Sequence, residues 1–242
     1  KLVNFLPGKQ IIKLKNGSYD FETPPHSIGS FHRNWGNFGH KVRAYTYLLR
    51  LGQEGIPRMS SVAVLSARYL FEKLKSRYQT LPANINESPR MHEFILTLSE
   101  EDFSNLETHG IPKNQAIPHI GKLFLDFGFH APTVAFPEIF GLMIEPTESY
   151  TKKELDRFAE AVLAIKDIIE ETPFVLKTAP HFTPIDRVDE VSANRNLRLH
   201  EPLNRLPPLP HNRISPAELR GLDIEQIKKR VIQLAKDTQG LV

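Results

Sequence analysis

The stretch Gly141-Leu-Met-Ile-Glu-Pro-Thr-Glu-Ser-Tyr-Thr-Lys-Lys-Glu-Leu155 contains a strand followed closely by a capped helix. Its first five residues, of strand length, are apolar up to Ile144 and end with Glu145 before Pro146. Thr151 and Glu154 have the spacing of a capping box, in which each side chain accepts a hydrogen bond from a free backbone N–H of the other residue. An apolar stripe at helical spacing then follows at Leu155, Phe158, Val162, Ile165 and Ile169. The stretch therefore predicts a strand that leads into a long amphipathic helix.

The residues before this stretch predict further strands and helices. Residues 91–98 are typical of a strand, and residues 133–136 of a short strand or turn. Residues 116–127 have helical periodicity and are followed by Gly128, whereas residues 99–113 are polar and predict a loop. Strands and helices in this order indicate the α+β class, with a small sheet covered by helices.

The first eighty residues predict a hairpin and two helices. Residues 9–15 and 19–21 flank Asn16-Gly17, a pair that favours a type I′ turn between two strands. Val42 to Leu51 and Ile56 to Tyr78 have helical spacing, and Gly52 between them is a plausible helix stop. Residues 81–89 read as a turn-rich link.

From Thr172 onward, proline recurs and apolar residues are scattered, which predicts an extended Pro-rich tail. A last amphipathic helix is predicted from Pro216 or Leu222 to Lys236. The predicted organisation is a connecting segment at 1–35, a small α/β domain at 36–171 and the tail at 172–242.

Composition excludes several classes of function. The 242 residues carry a formal net charge of +3 without a run of basic residues, which argues against nucleic acid. Cysteine is absent, so disulfides, zinc-thiolate sites and thiol nucleophiles are excluded. The histidines lack a spacing such as His-x-x-x-His, which predicts no metal. No apolar run reaches the roughly 18 residues of a membrane span, and no signal peptide opens the chain, so a cytoplasmic location is expected.

Two motifs carry a resemblance to a known family. Asp126-Phe-Gly-Phe-His-Ala-Pro-Thr-Val134 is followed by Leu142-Met-Ile-Glu-Pro-Thr-Glu-Ser149. The pair resembles the C-terminal part of the pyridoxal-phosphate subunit of glycine decarboxylase, the P-protein of the glycine cleavage system, in the form where it is split into two subunits and this part lies in subunit 2. Weaker matches are Trp35-Gly-Asn-Phe-Gly39, Val64-Leu-Ser-Ala-Arg-Tyr69, His92-Glu-Phe-Ile-Leu96 and Thr178-Ala-Pro-His181. Together they cover roughly residues 1 to 200.

The resemblance implies the small C-terminal domain of a fold type I enzyme that depends on pyridoxal 5′-phosphate. In the family, the Schiff-base lysine lies in a His-Lys-Thr context, and this sequence contains no such triplet. His40-Lys41 is followed by Val42 and lies at a different point in the pattern, so the role is not carried over to Lys41. The resemblance therefore implies a fragment without the catalytic lysine, which is inactive alone.

The resemblance also implies a reaction and partners. The full enzyme decarboxylates glycine and transfers the aminomethyl group to the lipoyl arm of H-protein. Its partners would be the P-protein subunit 1 or the N-terminal half of the protein, in an oligomer.

Eight residues are candidates for the cofactor or substrate pocket: Asn34, Gly36, Asn37, His92, His130, Thr133, Glu145 and His181. The first three lie in a glycine-bearing loop that either edges the pocket or simply joins two domains. His130 and Thr133 belong to the strongest motif, which favours a substrate-side role. Structural partnering is favoured for His92 with its neighbour Glu93, and mildly for Glu145, while a surface position is favoured for His181.

Two other functions are alternatives. The chain could be a non-catalytic module that holds subunits together through its tail and last helix. It could also be the small domain of an aminotransferase, but such domains bind the substrate carboxylate with an arginine near a strand end, where this sequence has Ile144-Glu145.

Overall fold

The structure is a computed structural model that describes residues 3–29, 36–81, 91–135, 140–184, 188–197, 199–200 and 212–240. The chain divides into two compact units between Arg58 and Met59. These are named the N-terminal unit and the C-terminal unit. The three-part domain organisation expected from the sequence stays a prediction.

The N-terminal unit contains a 3-10 helix at Val3–Phe5 and a hairpin of β1 (Gln10–Lys13) and β2 (Tyr19–Glu22). The hairpin is confirmed, but its predicted type I′ turn is wrong. The loop closes through hydrogen bonds from the backbone N–H of residue 14 to the carbonyl of residue 18 and from that of residue 17 to the carbonyl of residue 14. A type I′ turn needs positive φ at both central residues, and here only Gly17 has it.

Helix α1 spans Phe38–Leu74 and is interrupted at Gly52, whose φ of 63° and ψ of −171° lie outside the helical region. The predicted break at this glycine is confirmed. The part of α1 before Met59 belongs to the N-terminal unit, and the remainder belongs to the C-terminal unit.

A four-stranded antiparallel sheet lies in the C-terminal unit. Its strands are β3 (Gln79–Leu81), β4 (Phe94–Thr97), β5 (Thr133–Val134) and β6 (Gly141–Ile144), in the order β3-β4-β6-β5. Strands β4, β5 and β6 lie within the predicted ranges. Strand β3 was missed because the helix was predicted as far as Tyr78, whereas α1 ends at Leu74, and three residues carry too short a pattern to be recognised as a strand.

Three further helices pack with the sheet: α2 (Glu100–Thr108), α3 (Lys113–Asp126) and α4 (Lys152–Glu171). The capping box predicted for α4 is present. The loop predicted for 99–113 is wrong, because α2 forms there with its own capping box between Ser99 and Asp102. The apolar residues of this helix are Phe103 and Leu106, and both are buried. Because the rest of its sequence is polar, two apolar residues are too few to show a helical period.

The C-terminal segment adds α5 (Val175–Thr178), α6 (Glu190–Arg195), α7 (Pro216–Gly221) and α8 (Ile224–Gln239). The predicted last helix is therefore confirmed. Its apolar residues Ile227, Val231 and Ala235 are fully buried, and α8 packs on α4 and α5. The Lys228 amine lies 2.6 Å from a carboxylate oxygen of Asp167 on α4. Residues 201–211 of the tail expected at 172–242 lie outside the described residues.

One hydrophobic core joins the second part of α1, β4, β6 and α2 to α4 with α5, α7 and α8. This arrangement confirms the expected mixture of helices with a small sheet. Within the described part of the chain, no helix combines the length and the apolarity that a membrane span requires.

A buried ion pair joins α2 to α4 inside this core. The amine of Lys166 lies 2.5 Å from Asp102 and 3.2 Å from the more exposed Glu170. Burial by itself raises the pKa of the Asp102 carboxyl, but hydrogen bonds from Lys166 and Ser99 outweigh it and leave this pKa below its usual value. The pair is therefore held as an ion pair at neutral pH.

A second buried group fastens the end of α3 to the C-terminal segment. Asp126 is fully buried, and its Oδ1 accepts hydrogen bonds from the backbone N–H groups of His181 (2.6 Å) and Phe182 (3.0 Å). Its Oδ2 lies 2.7 Å from Nδ1 of the His181 ring, which we assign as the donor because the carboxylate is an acceptor. The ring Nε2 lies 2.9 Å from the Thr178 hydroxyl. Both carboxylate oxygens therefore have hydrogen-bond partners within the protein.

The turn after Asp126 is equally constrained. Gly128 has a φ of +79°, and a Cβ added there would lie 3.3 Å from Cβ of Leu219 on α7. Phe129 packs edge-on against Phe158 of α4, with ring centroids 5.3 Å apart. The first half of the strongest motif therefore builds the junction from which the chain enters the sheet at β5.

Replacing Lys166 with alanine should destabilise the protein by about 3–5 kcal/mol, because it leaves the Asp102 charge buried without its partner. Urea unfolding followed by circular dichroism measures the loss. Lys153→Ala, on the exposed side of the same helix, should change the free energy of unfolding by no more than about 0.5 kcal/mol. Equal losses in the two variants would contradict the structural role of the pair.

Acid should remove the contribution of Asp102 to the free energy of unfolding. Its pKa is lower in the folded state than in the unfolded state, so its contribution is complete above the unfolded-state value of about 3.9 and is lost as pH falls through the folded-state value. Unfolding of the wild type and of Asp102→Asn between pH 6 and pH 3 tests this. The gap in stability between them should narrow toward pH 3, and a constant gap would contradict it.

Replacing Asp126 with alanine should cost more than about 3 kcal/mol, because three buried N–H donors lose their acceptor. Asp126→Asn should recover part of this loss, since the amide oxygen still accepts from the two backbone donors. Thermal and urea unfolding compare both variants with Glu160→Ala, an exposed substitution on α4. If asparagine were as damaging as alanine, the backbone hydrogen bonds would not be the main contribution.

Candidate functional site

One end of the sheet collects several of the predicted site residues. In the antiparallel register of β4 and β6, Phe94 pairs with Ile144, which places Glu93 opposite Glu145 just beyond the strand ends. On the other side of β6, Thr133 of β5 pairs with Met143. The turn before β5 therefore reaches the same end of the sheet. We name His92, Glu93, His130, Thr133 and Glu145 the sheet-end group.

His92 lies beside both glutamates of this group. Its Nε2 is 3.3 Å from Oε1 of Glu145 and 4.0 Å from Oε2 of Glu93. All three side chains are close to half exposed. Two carboxylates that face each other across neighbouring strands repel, and the imidazole nitrogen lies close enough to interact with both. The sequence prediction treated His92 and Glu145 separately, and the sheet brings them into contact.

His130 and Thr133 lie on the open edge of the sheet, and both are exposed. The His130 ring makes only a long contact of 3.4 Å between Nδ1 and the carbonyl of Ala131. Because β4 and β5 flank β6 on opposite sides, two strand spacings of about 4.8 Å place this turn on the order of 10 Å from His92. The group thus presents two imidazoles, two carboxylates and a hydroxyl to one solvent-facing region.

The same region contains ligand types that metals use. Atoms of His92, Glu93 and Glu145 all lie within 4.8 Å of one another, and this is the one such group among the described residues. Spacing along the sequence did not reveal it because the third ligand comes from another strand. Exposed groups of this kind are common without an ion, so we assign no metal here.

The loop candidates lie in the N-terminal unit. Gly36 has a φ of +69°, and the Asn37 side chain accepts a hydrogen bond of 3.4 Å from the backbone N–H of His40 at the start of α1. Asn37 therefore has a local role next to the first turn of this helix. Asn34 lies outside the described residues. A pocket role for the three residues stays a prediction.

His181 is buried and held by Asp126, so its expected surface position is wrong. The sequence showed a histidine after Ala-Pro in a polar, proline-rich region but gave no sign of its partner 55 residues earlier. Asp126 itself was quoted only as part of a motif. A role for His181 at the pocket stays a prediction, and its contacts favour a structural one.

Comparisons with known proteins identify the family. A sequence model of the family described as "Glycine dehydrogenase, C-terminal domain" matches residues 59–181, which include the whole sheet-end group and the Asp126 junction as far as His181. The resemblance found in the sequence motifs is thereby confirmed.

Curated relatives agree with this match. The probable glycine dehydrogenase (decarboxylating) subunit 2 of Prosthecochloris aestuarii is 44% identical over 205 residues, which cover 82% of this chain and 40% of the relative. The proteins of the same name from Caldanaerobacter subterraneus subsp. tengcongensis and Thermotoga petrophila are each 42% identical, over 81% and 80% of this chain and 38% and 39% of their own lengths. The chain thus spans about two fifths of the length of these relatives. It belongs to the glycine dehydrogenase family, in which it corresponds to the C-terminal domain.

Proposed function

We propose that this chain is the C-terminal part of a glycine-decarboxylating subunit that depends on pyridoxal 5′-phosphate. The proposed reaction removes the carboxyl group of glycine as carbon dioxide and passes the aminomethyl group to the lipoyl arm of H-protein. The observation that carries the proposal is 44% identity, over 82% of this chain, to a protein named glycine dehydrogenase (decarboxylating) subunit 2. Since the chain spans only about two fifths of that relative, it supplies one part of the catalytic unit.

The described residues do not by themselves fit pyridoxal 5′-phosphate. The cofactor needs a lysine whose amine reaches into a cavity, where it forms an imine. The buried lysine of the described chain, Lys166, is held in its ion pair with Asp102. Neither of two cavities found among the described residues is lined by a lysine. The imine-forming lysine therefore belongs to another part of the enzyme, and the present chain is inactive alone.

Within this proposal, the sheet-end group is the surface that the C-terminal domain turns toward the pocket. Its side chains are exposed, whereas the Asp126 junction beneath it is buried and fully hydrogen-bonded. A rigid junction next to exposed polar groups is suited to holding those groups in fixed positions. His92 can accept or donate a proton, and its contact with Glu145 fixes the orientation of its ring.

The structure favours this function over the alternatives. An assembly module built on the last helix would need an available apolar face, and the face of α8 is used inside the domain, with Ile227 and Val231 fully buried. An aminotransferase domain is disfavoured because such domains bind the substrate carboxylate with an arginine near a strand end, and here β6 is followed by Glu145. The relatives also carry the name of glycine dehydrogenase.

The activity test uses two polypeptides: the present chain, and the same chain preceded by the part of the Prosthecochloris relative that it lacks. Each is given the partner subunit 1, pyridoxal 5′-phosphate, carboxyl-labelled glycine and lipoylated H-protein, and carbon dioxide release is measured. The longer polypeptide should release label and the present chain should not. After borohydride reduction, mass spectrometry should find one modified lysine in the longer polypeptide and none in this chain. Stoichiometric reduction at Lys41 in the present chain would overturn the proposal.

Substitutions in the sheet-end group test its role in the longer polypeptide. His92→Ala and Glu145→Gln should each lower the rate of carbon dioxide release by about tenfold or more, through loss of positioned polar contacts. Glu160→Gln is the matched control, since it removes an exposed carboxylate from α4. Unchanged rates in both test variants would show that the sheet-end group is not part of the site. The proposed reaction would not be contradicted by that result.

A further inference from the structure

The turn between β6 and α4 contains an unusual backbone conformation. Among the described residues, Thr147 is the only one other than glycine with a positive φ, at 54°. In this left-handed region the Cβ atom approaches the following carbonyl oxygen, and a branched side chain is especially rare there. Glycine or asparagine would adopt the conformation at a lower cost. The conformation of Thr147 is therefore imposed by its surroundings and is not its own preference.

Both ends of this turn are fixed. On one side, β6 ends at Ile144, which is buried, and Pro146 is buried as well. On the other side, α4 begins directly after Thr151, whose capping box with Glu154 has hydrogen bonds of 2.8 and 3.3 Å. Residues 145–150 must join these two anchored elements. A strained residue persists where the surrounding structure leaves the chain no alternative, and such residues cluster at functional sites.

The side chain of Thr147 supports this conformation. Its hydroxyl oxygen accepts a hydrogen bond of 3.3 Å from the backbone N–H of Ser149. Threonine, serine, asparagine and aspartate side chains all make local bonds of this kind to the backbone two residues onward. A valine has the shape of threonine but cannot accept the bond, whereas an asparagine accepts it and tolerates the left-handed region. These two substitutions therefore separate the turn conformation from the threonine hydroxyl itself.

The turn also determines the direction of Glu145. The pairing of β4 with β6 ends at Phe94 and Ile144, so Glu145 lies just beyond the ladder. Side chains alternate along a strand, and because Ile144 is buried in the core, Glu145 points to the opposite face. A residue before proline is restricted to an extended backbone, which continues the alternation at Glu145. The backbone of Glu145 is thus set by β6 on one side and by Pro146 and Thr147 on the other.

The direction of Glu145 matters because of its partner in the sheet-end group. Its Oε1 lies 3.3 Å from Nε2 of His92, and both side chains are close to half exposed. Exposed contacts of this kind contribute little by themselves, because holding two side chains in one geometry costs conformational entropy. The contact therefore depends on a backbone that presents Glu145 in one orientation.

We propose that Thr147 is a positioning residue for the sheet-end group. Its left-handed turn holds Glu145 in contact with His92, so that this pair is already ordered when the substrate binds. Thr147 acts through Glu145 and does not itself contact the substrate. The proposal rests on the proposed function, because it takes the sheet-end group to be part of the site.

Nuclear Overhauser contacts between the His92 ring and the side-chain methylenes of Glu145 test the positioning without reference to activity. In the present chain, labelled at histidine and glutamate, these contacts should be present in the wild type, lost in Thr147→Val and kept in Thr147→Asn. The valine removes the hydrogen-bond acceptor of the turn and lets φ relax to a negative value. Thr108→Ala is the matched control and should keep the contacts, since Thr108 is an exposed threonine at the end of α2 whose hydroxyl also bonds the local backbone.

Carbon dioxide release by the longer polypeptide, with the partner subunit 1 present, tests whether the positioning matters for the reaction. Thr147→Val should lower kcat by about tenfold and change the KM for glycine by less than about twofold, because lost preorganisation affects the reacting state more than substrate binding. Thr147→Asn should keep kcat within about twofold of the wild type, since it keeps the turn. In the Glu145→Gln background, Thr147→Val should cause no further loss, because Thr147 acts through Glu145.

Several results would overturn the inference. Overhauser contacts that persist in Thr147→Val, or an unchanged kcat in that variant, would show that the turn does not position Glu145 for the reaction. Equal losses of kcat in Thr147→Val and Thr147→Asn would mean that the hydroxyl is required and not the turn. A further loss in the Glu145→Gln background would show that Thr147 acts elsewhere. If circular dichroism showed Thr147→Val to be unfolded, Thr147→Ala would replace it, since it removes the same acceptor with a smaller side chain. A wild type that releases no carbon dioxide but shows the expected Overhauser contacts would contradict the proposed function alone.

Discussion

The carboxyl group of Asp126 is fully buried, and a buried polar group must be hydrogen-bonded inside the protein. Two backbone N–H groups and the His181 ring provide these hydrogen bonds, and this requirement brings the start of the C-terminal segment against the end of α3. The turn at Gly128 and the Phe129–Phe158 contact then set the path from α3 to β5. A single desolvated charge thus fixes the geometry around the family's strongest motif.

The arrangement separates two roles within one motif. Residues up to Phe129 are used for packing and hydrogen bonding, whereas His130 and Thr133 emerge at the exposed end of the sheet. They lie at the same end of the sheet as the strand ends that carry His92 and Glu145. The buried Asp126 junction is rigid, and the sheet-end group is exposed and polar. This combination is expected where a domain contributes side chains to a site that another part of the enzyme completes.

The two units differ in how their stability is obtained. The C-terminal unit has a continuous core that extends from α1 to α8, with the buried Lys166–Asp102 pair linking two of its helices. The N-terminal unit exposes apolar residues on the first part of α1, at Phe38, Val42, Tyr45 and Leu49, and on the hairpin, at Ile11 and Phe21. Helix α1 shows this difference, because its second part is buried in the core and its first part is exposed.

Local sequence determined the elements whose signals are short in range. The capping box at Thr151, the break at Gly52 and the stripe of α8 all act within a few residues, so periodicity and capping were sufficient to predict them. The motifs also identified the family, because they are read directly from residue order. Helix α2 was missed because it buries too few apolar residues to show a period. The turn type of the hairpin was missed because Asn16-Gly17 is compatible with more than one loop length.

Only the tertiary structure decided which distant residues are partners. His181 changed from an expected surface residue to a buried one because Asp126 lies 55 positions away along the chain. Glu93 and Glu145 became neighbours through strand register, which sequence spacing does not encode. Burial, ion pairing and exposure depend on contacts made across the fold, whereas capping and periodicity depend on contacts within a turn or two. That difference in range is the physical reason why the sequence determined the elements and the family. The tertiary structure determined the Asp126 junction, the sheet-end group and the exposed apolar residues on the first part of α1.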